Sequence, residues 1–423
     1  MKAAKAFAFY LPQFHPIFEN DEWWGTGFTE WHNLVRGSPR FHGHIQPKVP
    51  RDLGFYNLLD KDVIQNQVKL AIKMGLHGFC FYYYNFDGKR LLEKPLDLFV
   101  RNNEERFSFC LMWANENWTR RWDGQEQDVL IAQTYKRDDE RSLVADFAQY
   151  LRDPAYFTID GRPVLLIYRA DIIPDCKATV DRWRQLFHRE HNLKPILVMA
   201  QTFGNIDPLA KGFDAAIEFP PHKFGSTLSR INHQVQLLDE SFSGDIRSYD
   251  ELIEKSLIDF PSEFPLIKTV VPGWDNDARK QGAGMVFHGA LPGKFESWIS
   301  KLLPSIADHP VFNEKLLFIN AWNEWCEGAY LEPDTYFGYA FGNALSRSIG
   351  NYVSPDKLKI ILVGHDAFPA GAQQLLLSIG STLKFRFGAE VSFILMGGGR
   401  WLKITSQSRI LMLSTSNTTS GMS

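Results

Sequence analysis

Leu316-Leu317-Phe318-Ile319-Asn320-Ala321-Trp322-Asn323-Glu324-Trp325-Cys326-Glu327-Gly328 is an apolar run that turns abruptly into amides, tryptophans and two carboxylates. A run that is apolar throughout, not alternating, suits a parallel strand covered on both faces. Leu316–Ala321 therefore reads as a strand, and the polar residues after it as a loop at its C-terminal end. Seven segments upstream repeat the pattern: Ala6–Tyr10, Gly78–Tyr84, Phe107–Trp113, Val164–Tyr168, Ile196–Ala200, Ala215–Phe219 and Ile267–Val271. Amphipathic stretches lie between them, among them Asp62–Met74, Leu91–Arg101, Glu140–Leu151, Thr179–His188, Gly293–Leu303 and Tyr339–Ile349. Eight alternations predict an α/β protein with a closed (β/α)8 TIM-type barrel over residues 1–350, in preference to an open doubly wound sheet. Asp160-Gly161, just before the fourth strand, predicts a tight turn.

The eight strands share one feature at their ends. After them come Pro12-Gln13-Phe14-His15, Tyr84-Asn85-Phe86-Asp87, Asn115-Glu116-Asn117-Trp118, Arg169, Gln201, Pro220-Pro221-His222, Trp274-Asp275-Asn276 and Asn323-Glu324-Trp325. Active sites of this fold are built at that face of the barrel. A solvated loop explains any one of these segments, but it explains the set poorly.

Glu324 and Glu327 are the catalytic candidates. Glycosidic cleavage needs one group to protonate the leaving oxygen and another to attack or stabilise the charge developing at the anomeric carbon. Carboxylates set beside tryptophans in a half-buried pocket are costly unless they have such a use. The binding candidates are Tyr10, Gln13 and His15, then Trp31, Tyr84, Trp113, Asn115, Glu116, Trp118, Gln201 and Glu218. Trp274, Asp275, His288, Trp322 and Asn323 complete them. Glu116 can hold sugar hydroxyls or form a structural ion pair with Arg120 or Arg121. The loop from Tyr10 to Trp31 is expected to wall one side of the cleft, and Trp274–Asn276 with Phe287–Gly289 the other.

Composition sets bounds on function. The 423 residues carry Lys+Arg 46 against Asp+Glu 49, a net charge of -3, which argues against a nucleic-acid surface or a basic membrane patch. Aromatic residues reach 14%, with 12 Trp. Many of these sit beside polar groups, as suits a sugar ring with its apolar face and polar rim. Cys80, Cys110, Cys176 and Cys326 are widely spaced, which fits a reducing compartment and no zinc ribbon. No His or Cys pair has metal-site spacing, so no metal or other cofactor is expected. The N-terminal apolar run is short and stops at Pro12, and no stretch is long enough to span a bilayer, so the expectation is a cytoplasmic protein with an oligo- or polysaccharide substrate. Oligomeric state is not readable.

Beyond residue 350 the pattern changes. Lys357–Gly364, a helical stretch to Phe387, and Glu390–Met396 followed by Gly397-Gly398-Gly399 make a β-turn-α-β unit like the start of a nucleotide-binding lobe. Residues 351–423 are too few for such a domain. They are expected to form an incomplete Rossmann-like fragment, truncated or frameshifted, with a disordered tail past about residue 400.

The segments FAFYLPQFHP (7–16), NDEWWGTGFTEW (20–31), LGFYNL (53–58), GFCFYYYNF (78–86), CLMWANENWTRRWDG (110–124), GFDAAIEFPP (212–221), PGWDN (272–276) and FINAWNEWCEGAYLEPD (318–334) together resemble the glycoside hydrolase family 99-like group, also called the WbsX-type domain of polysaccharide biosynthesis proteins. That resemblance implies a (β/α)8 fold and a retaining, metal-independent glycosidase. It implies that Glu324 is the base on the sugar's 2-hydroxyl and Glu327 the acid/base on the leaving oxygen, with an anhydrosugar intermediate. The start departs from the true endo-α-mannosidases, with Tyr10-Leu11-Pro12-Gln13-Phe14-His15 where they resemble Tyr-Tyr-Pro-Trp-Tyr. The resemblance therefore does not reach mannose specificity or endo action. ILVGHDAFPAGAQQLLL (361–377) resembles the first strand and helix of a GT-B glycosyltransferase. The expected function is a retaining glycoside hydrolase or transglycosylase acting on an O-antigen, capsular or mannose-like glycan. The rivals are a glycosyltransferase of lipopolysaccharide or polysaccharide biosynthesis and a non-catalytic glycan-binding scaffold.

Overall fold

The structure is a computed structural model that describes residues 4–120, 125–260, 262–351, 359–364, 371–387, 390–395 and 409–412. Eight parallel strands close on one another: β1 (Lys5–Tyr10), β2 (Gly78–Phe86), β3 (Ser108–Trp113), β4 (Arg162–Ile167), β5 (Ile196–Gln201), β6 (Ala215–Glu218), β7 (Leu266–Val270) and β8 (Leu316–Ile319). Each pairs with its neighbours in chain order. Closure comes from β1, which lies between β8 (Lys5↔Leu316 to Ala8↔Ile319) and β2 (Phe7↔Gly78 to Tyr10↔Phe81). This is the (β/α)8 barrel that the alternation predicts.

The barrel floor is aromatic. The Phe7 ring stacks on Phe318 at 5.3 Å and meets Phe157 at 4.6 Å. Gly78 makes room for it, since a Cβ there would lie 2.5 Å from Phe7 Cε1 and 2.3 Å from the Ser108 carbonyl oxygen. No other residue fits at such separations.

Outside the strands run α1 (Lys61–Lys73), α2 (Lys94–Arg101), α3 (Glu140–Leu151), α4 (Cys176–His191), α5 (Tyr249–Ile258), α6 (Pro292–Asp308) and α7 (Ala340–Asn351). In α1 the buried residues Ile64, Gln67, Val68 and Ala71 follow the helical repeat, and the Asp60 carboxylate caps its start by accepting the Asp62 N–H. The periodicity missed α5, whose inward face is only Tyr249, Leu252 and Ser256. Between β5 and β6 the crossover is a single 3-10 turn, Leu209–Lys211, so the helical ring departs from the ideal repeat there. Asp160 and Gly161, both at positive φ, turn Thr158–Ile159 back onto β4, the tight turn expected.

The chain divides into two compact units, Lys2–Ile349 and Gly350–Ser423. In the second, strands Lys359–Gly364, Glu390–Leu395 and Arg409–Met412 pair in parallel. Helix Gly371–Phe387 supplies Leu376, Leu377 and Leu383 to a small core around Val391 and Phe393. Arg409–Met412 lies in the stretch read as lacking a core pattern. The Gly397–Gly399 turn and the remainder of the expected tail lie outside the described residues. Among the described residues no helix is long and apolar enough to cross a membrane.

Candidate active site at the mouth of the barrel

The ends of seven strands converge on one cleft of about 350 Å³. Tyr82 and Tyr84 come from β2, Glu116 and Trp118 from beyond β3, and Tyr168 from beyond β4. Phe203 follows β5, Phe219 and His222 follow β6, Trp274 and Arg279 follow β7, and Glu324 and Glu327 follow β8.

The two glutamates sit on a tight turn fastened from several sides. Asn323–Glu324 pairs antiparallel with Ala329–Tyr330, and Trp325–Glu327 forms a 3-10 turn that ends at Gly328, φ 61°. Asn323 clamps the end of β1, its Oδ1 accepting the Leu11 N–H at 2.8 Å while its Nδ2 donates to the Leu11 carbonyl at 3.0 Å. Trp325 stacks on Tyr330 at 3.9 Å and donates its indole N–H to Glu332 at 2.6 Å. Gln67 Nε2 (2.6 Å) and the Tyr56 hydroxyl (2.8 Å) also donate to that carboxyl. Burial nevertheless pushes Glu332 up to about 7.

Glu324 is 6% exposed, and burial, followed by the neighbouring Glu327, pushes its carboxyl well above the usual range. Burial also raises Glu327. Arg279 pulls the other way, its Nη1 donating to Glu327 Oε1 at 2.8 Å. Two like carboxyls that burial discourages from ionising share protons as a pair. Opposite them lies an aromatic wall: His222 stacks on Phe219 (5.3 Å, 8°) and Phe203 (4.7 Å, 27°), with the Tyr168 hydroxyl 2.7 Å from its Nδ1. Trp118 packs edge-on against Tyr84, Phe86 and Trp23. Hydrogen-bonding groups beside aromatic faces are what a pyranose needs.

Of the binding candidates, Tyr84, Glu116, Trp118 and Trp274 line this cleft with the two glutamates. The rest support it or lie elsewhere. Tyr10 donates to Gln67 at 2.7 Å, and Trp31 donates to the Tyr56 carbonyl at 2.8 Å. Gln13 is buried. His15 is fully buried, and burial holds its imidazole neutral, down to about 4. Trp113 donates to the Asn85 carbonyl, and Asn115 binds the main chain of Arg169 on both sides of its amide. Gln201 donates to the Ile206 carbonyl, and Trp322 packs on Phe79. Glu218 lies in the strand–helix layer, where Lys268 (2.6 Å) and Lys223 (2.9 Å) neutralise it. Asp275 accepts bonds from Gln46 (2.7 Å) and Lys48 (3.0 Å) and faces His44 Nε2 at 2.9 Å, and Lys48 and His44 hold it well below the usual range against its burial. With His288 it borders a separate cavity of about 230 Å³ behind Trp274. A third cavity, about 240 Å³, lies over Trp113 and Trp183 and contains neither glutamate.

Arg169 is a cation on Glu116, and its guanidinium also grips Asp171 and lies 4.4 Å over Phe203. Arg121 and Trp122 lie outside the described residues. Sequence reasoning missed Tyr82, Tyr168, Phe203 and Arg279. Tyr82 was legible in principle, two residues before Tyr84 on the same face of β2. Arg279 was not, because the short helix Asp277–Lys280 that aims it carries no motif.

Residues 6–345 match the family described as Glycosyltransferase WbsX. The chain belongs to this family. Two curated relatives, each called uncharacterized protein WxcX and each from a strain of Xanthomonas campestris pv. campestris, are 43% identical over 343 residues, or 81% of this chain. The chain spans about half their length, 49%. Among solved structures, a glycoside hydrolase-like protein is similar with a TM-score of 0.54 at 16% identity, over 82% of this chain and 94% of that one. A family 99 endo-α-mannosidase from Bacteroides thetaiotaomicron gives 0.49 at 13% identity, over 82% and 95%. At 16% identity the likeness of the glycoside hydrolase-like protein to this WbsX-family chain is one of fold.

Proposed function

We propose that this WbsX-family barrel acts on glycosidic bonds of an oligo- or polysaccharide, with Glu324 and Glu327 as its catalytic pair. The observation that carries the reading is the pair itself: two carboxyls on one turn, both pushed up by burial, in a cleft walled by Tyr84, Trp118, Phe203, His222 and Trp274. Following the resemblance in the Asn323-Glu324-Trp325-Cys326-Glu327-Gly328 motif, Glu324 takes the proton of the sugar's 2-hydroxyl as that oxygen attacks the anomeric carbon. Glu327 gives its proton to the departing oxygen. The anhydrosugar then opens to water or to a second sugar, Glu327 taking the attacking hydroxyl's proton while Glu324 returns its own to the departing 2-oxygen, and overall configuration is retained. Tyr82 and Tyr84, whose hydroxyls burial keeps neutral, are placed to donate to the reacting sugar.

Glycosyl transfer is the second reading, favoured by the family's description. It uses the same pair, with an acceptor hydroxyl in place of water. We assign the activity to residues 1–350.

The test incubates the full chain, beside Glu324→Gln and Glu327→Gln, with α-linked manno-, rhamno- and N-acetylhexosaminyl oligosaccharides, with and without acceptor sugars, following anomeric protons by NMR. Each substitution is expected to lower kcat by about a thousandfold. With an activated aryl leaving group Glu327→Gln should recover much of its rate and Glu324→Gln should not. Binding with no turnover in wild type would sink the catalytic reading in favour of a glycan-binding scaffold.

A further inference from the structure

We infer that Glu30 is the far member of a buried relay, Glu30–Arg279–Glu327, which holds Glu327 in place and leaves the resting proton of the catalytic pair on Glu324. This rests on the glycosidic reading of the cleft. Arg279 divides its fork: Nη1 donates to Glu327 Oε1 at 2.8 Å and Nη2 to Glu30 Oε2 at 3.2 Å. Glu30 is fully buried, and its Oε1 has no hydrogen-bond partner among the described residues. A buried carboxyl on this guanidinium helps to offset the cost of taking Arg279 out of water, and its second oxygen is left unbonded among those residues.

The relay is built into the fold at both ends. Glu30 opens the short helix Glu30–Leu34, whose start is fixed by a capping box between Thr29 and His32. The Glu30 carbonyl accepts the Cys326 thiol at 3.1 Å, so this helix packs directly on the turn that carries both catalytic glutamates. The neighbouring Trp31 ring lies 6.1 Å from Trp325. At the other end, the Asp275 N–H donates to the Glu327 carbonyl at 2.6 Å, tying the loop that carries Arg279 to the same turn.

Charge counting then places the proton. One guanidinium faces three buried carboxyls, and its donors go to Glu30 and Glu327. Among the described residues Glu324 has no ion pair and no hydrogen-bonded cation. Three carboxylates on one cation would leave two uncompensated charges out of water, and protonating Glu324, which Arg279 reaches only through space, relieves this at least cost. The other titratable groups facing the cluster do not change the count. Tyr82, Tyr84 and the Cys326 thiol are held neutral by burial, and Glu116 has its own cation in Arg169. Among the described residues Lys280 is the other cation lining the cleft, and no ion pair joins it to Glu30, Glu324 or Glu327. In the resting enzyme Glu324 is thus the acid and Glu327 the carboxylate. Before Glu324 can accept the 2-hydroxyl proton its own must pass to Glu327, whose Oε1 alone receives the Arg279 hydrogen bond. Glu30 is a positioning residue in this sequence of events and touches no substrate.

The test uses the full chain with 13C-labelled glutamate side chains, comparing wild type with Glu30→Gln, Glu30→Asp and Arg279→Met. It reads carboxyl titration by NMR and kcat and KM against pH. Removing the negative charge at position 30 is expected to lower the midpoint of the Glu324/Glu327 pair by about one unit, and removing the cation at 279 to raise it by about as much. Glu30→Gln should lower kcat about tenfold with KM nearly unchanged, and Glu30→Asp should restore most of it. Midpoints that stay put, or that move the same way in both variants, would overturn the relay even if activity falls. Opposite shifts without turnover in any protein would uphold the relay and reject the glycosidic reading instead.

Discussion

Glu332 shows how one buried carboxyl shapes this protein's response to pH. Three donors hold it, yet burial keeps its pKa near 7, above the 4.5 of an unfolded chain. The folded state therefore binds more protons than the unfolded state between those values, so its stability is fully present below about pH 4.5 and is lost as pH rises through 7. The size of that loss is about 3 kcal/mol. Thermal melts of wild type should fall in Tm between pH 5 and 7.5. Glu332→Gln, which cannot ionise, should flatten that slope while keeping two of the three donors engaged. A slope unchanged in the variant would show that Glu332 does not titrate in this range. The raised Glu324 and Glu327 act in the same direction, so a residual slope in Glu332→Gln belongs to those two carboxyls.

Two elements carry predictions of their own. The junction of β6, β7 and α5 buries Glu218 with Lys268, whose Nζ also donates to the Ser256 carbonyl at 2.7 Å. Lys268→Met removes a buried cation and leaves Glu218 with only Lys223, at a cost of about 3 kcal/mol in urea unfolding. Glu218→Gln added to it should recover most of that loss, because the uncompensated charge is gone. The turn that carries Glu324 and Glu327 ends at Gly328, where a Cβ would lie 2.7 Å from Lys48 Cε and 3.0 Å from the Asp275 nitrogen, at φ 61°. Gly328→Ala should cost about 2 kcal/mol in stability and lower kcat more than it raises KM, because the displaced turn carries Glu327. Equal wild-type kinetics would show that the turn tolerates the shift.

At the scale of the whole chain, the barrel of Lys2–Ile349 contains the entire cleft and all its closing strand pairs. Residues 1–350 expressed alone should therefore match the full chain in Tm within a few degrees and in kcat within about twofold. Differential scanning calorimetry of the two proteins checks the first, and the NMR assay the second. A barrel that unfolds or loses activity without residues 351–423 would make the second unit part of the functional protein.

The barrel was legible in the sequence because parallel strands buried on both faces must be apolar throughout, and all eight runs became β1 to β8. That Glu324 and Glu327 would stand at the barrel mouth was legible for a related reason: they directly follow the last buried strand, and the structure sets both in the cleft. The helix α5 and the Leu209–Lys211 crossover were not, since the first buries too few residues to show a period and the second replaces a helix with one turn. The division of the binding candidates was a tertiary decision. Tyr84 and Trp274 face the cleft, whereas Glu218, Asp275 and His15 stand equally near strand ends in sequence but turn into the layer behind it. Which way a side chain points at the barrel mouth depends on loops from other strands. Arg279 depends on them most: its partners Glu30 and Glu327 lie 249 and 48 residues away, and only closure of the barrel brings the three together.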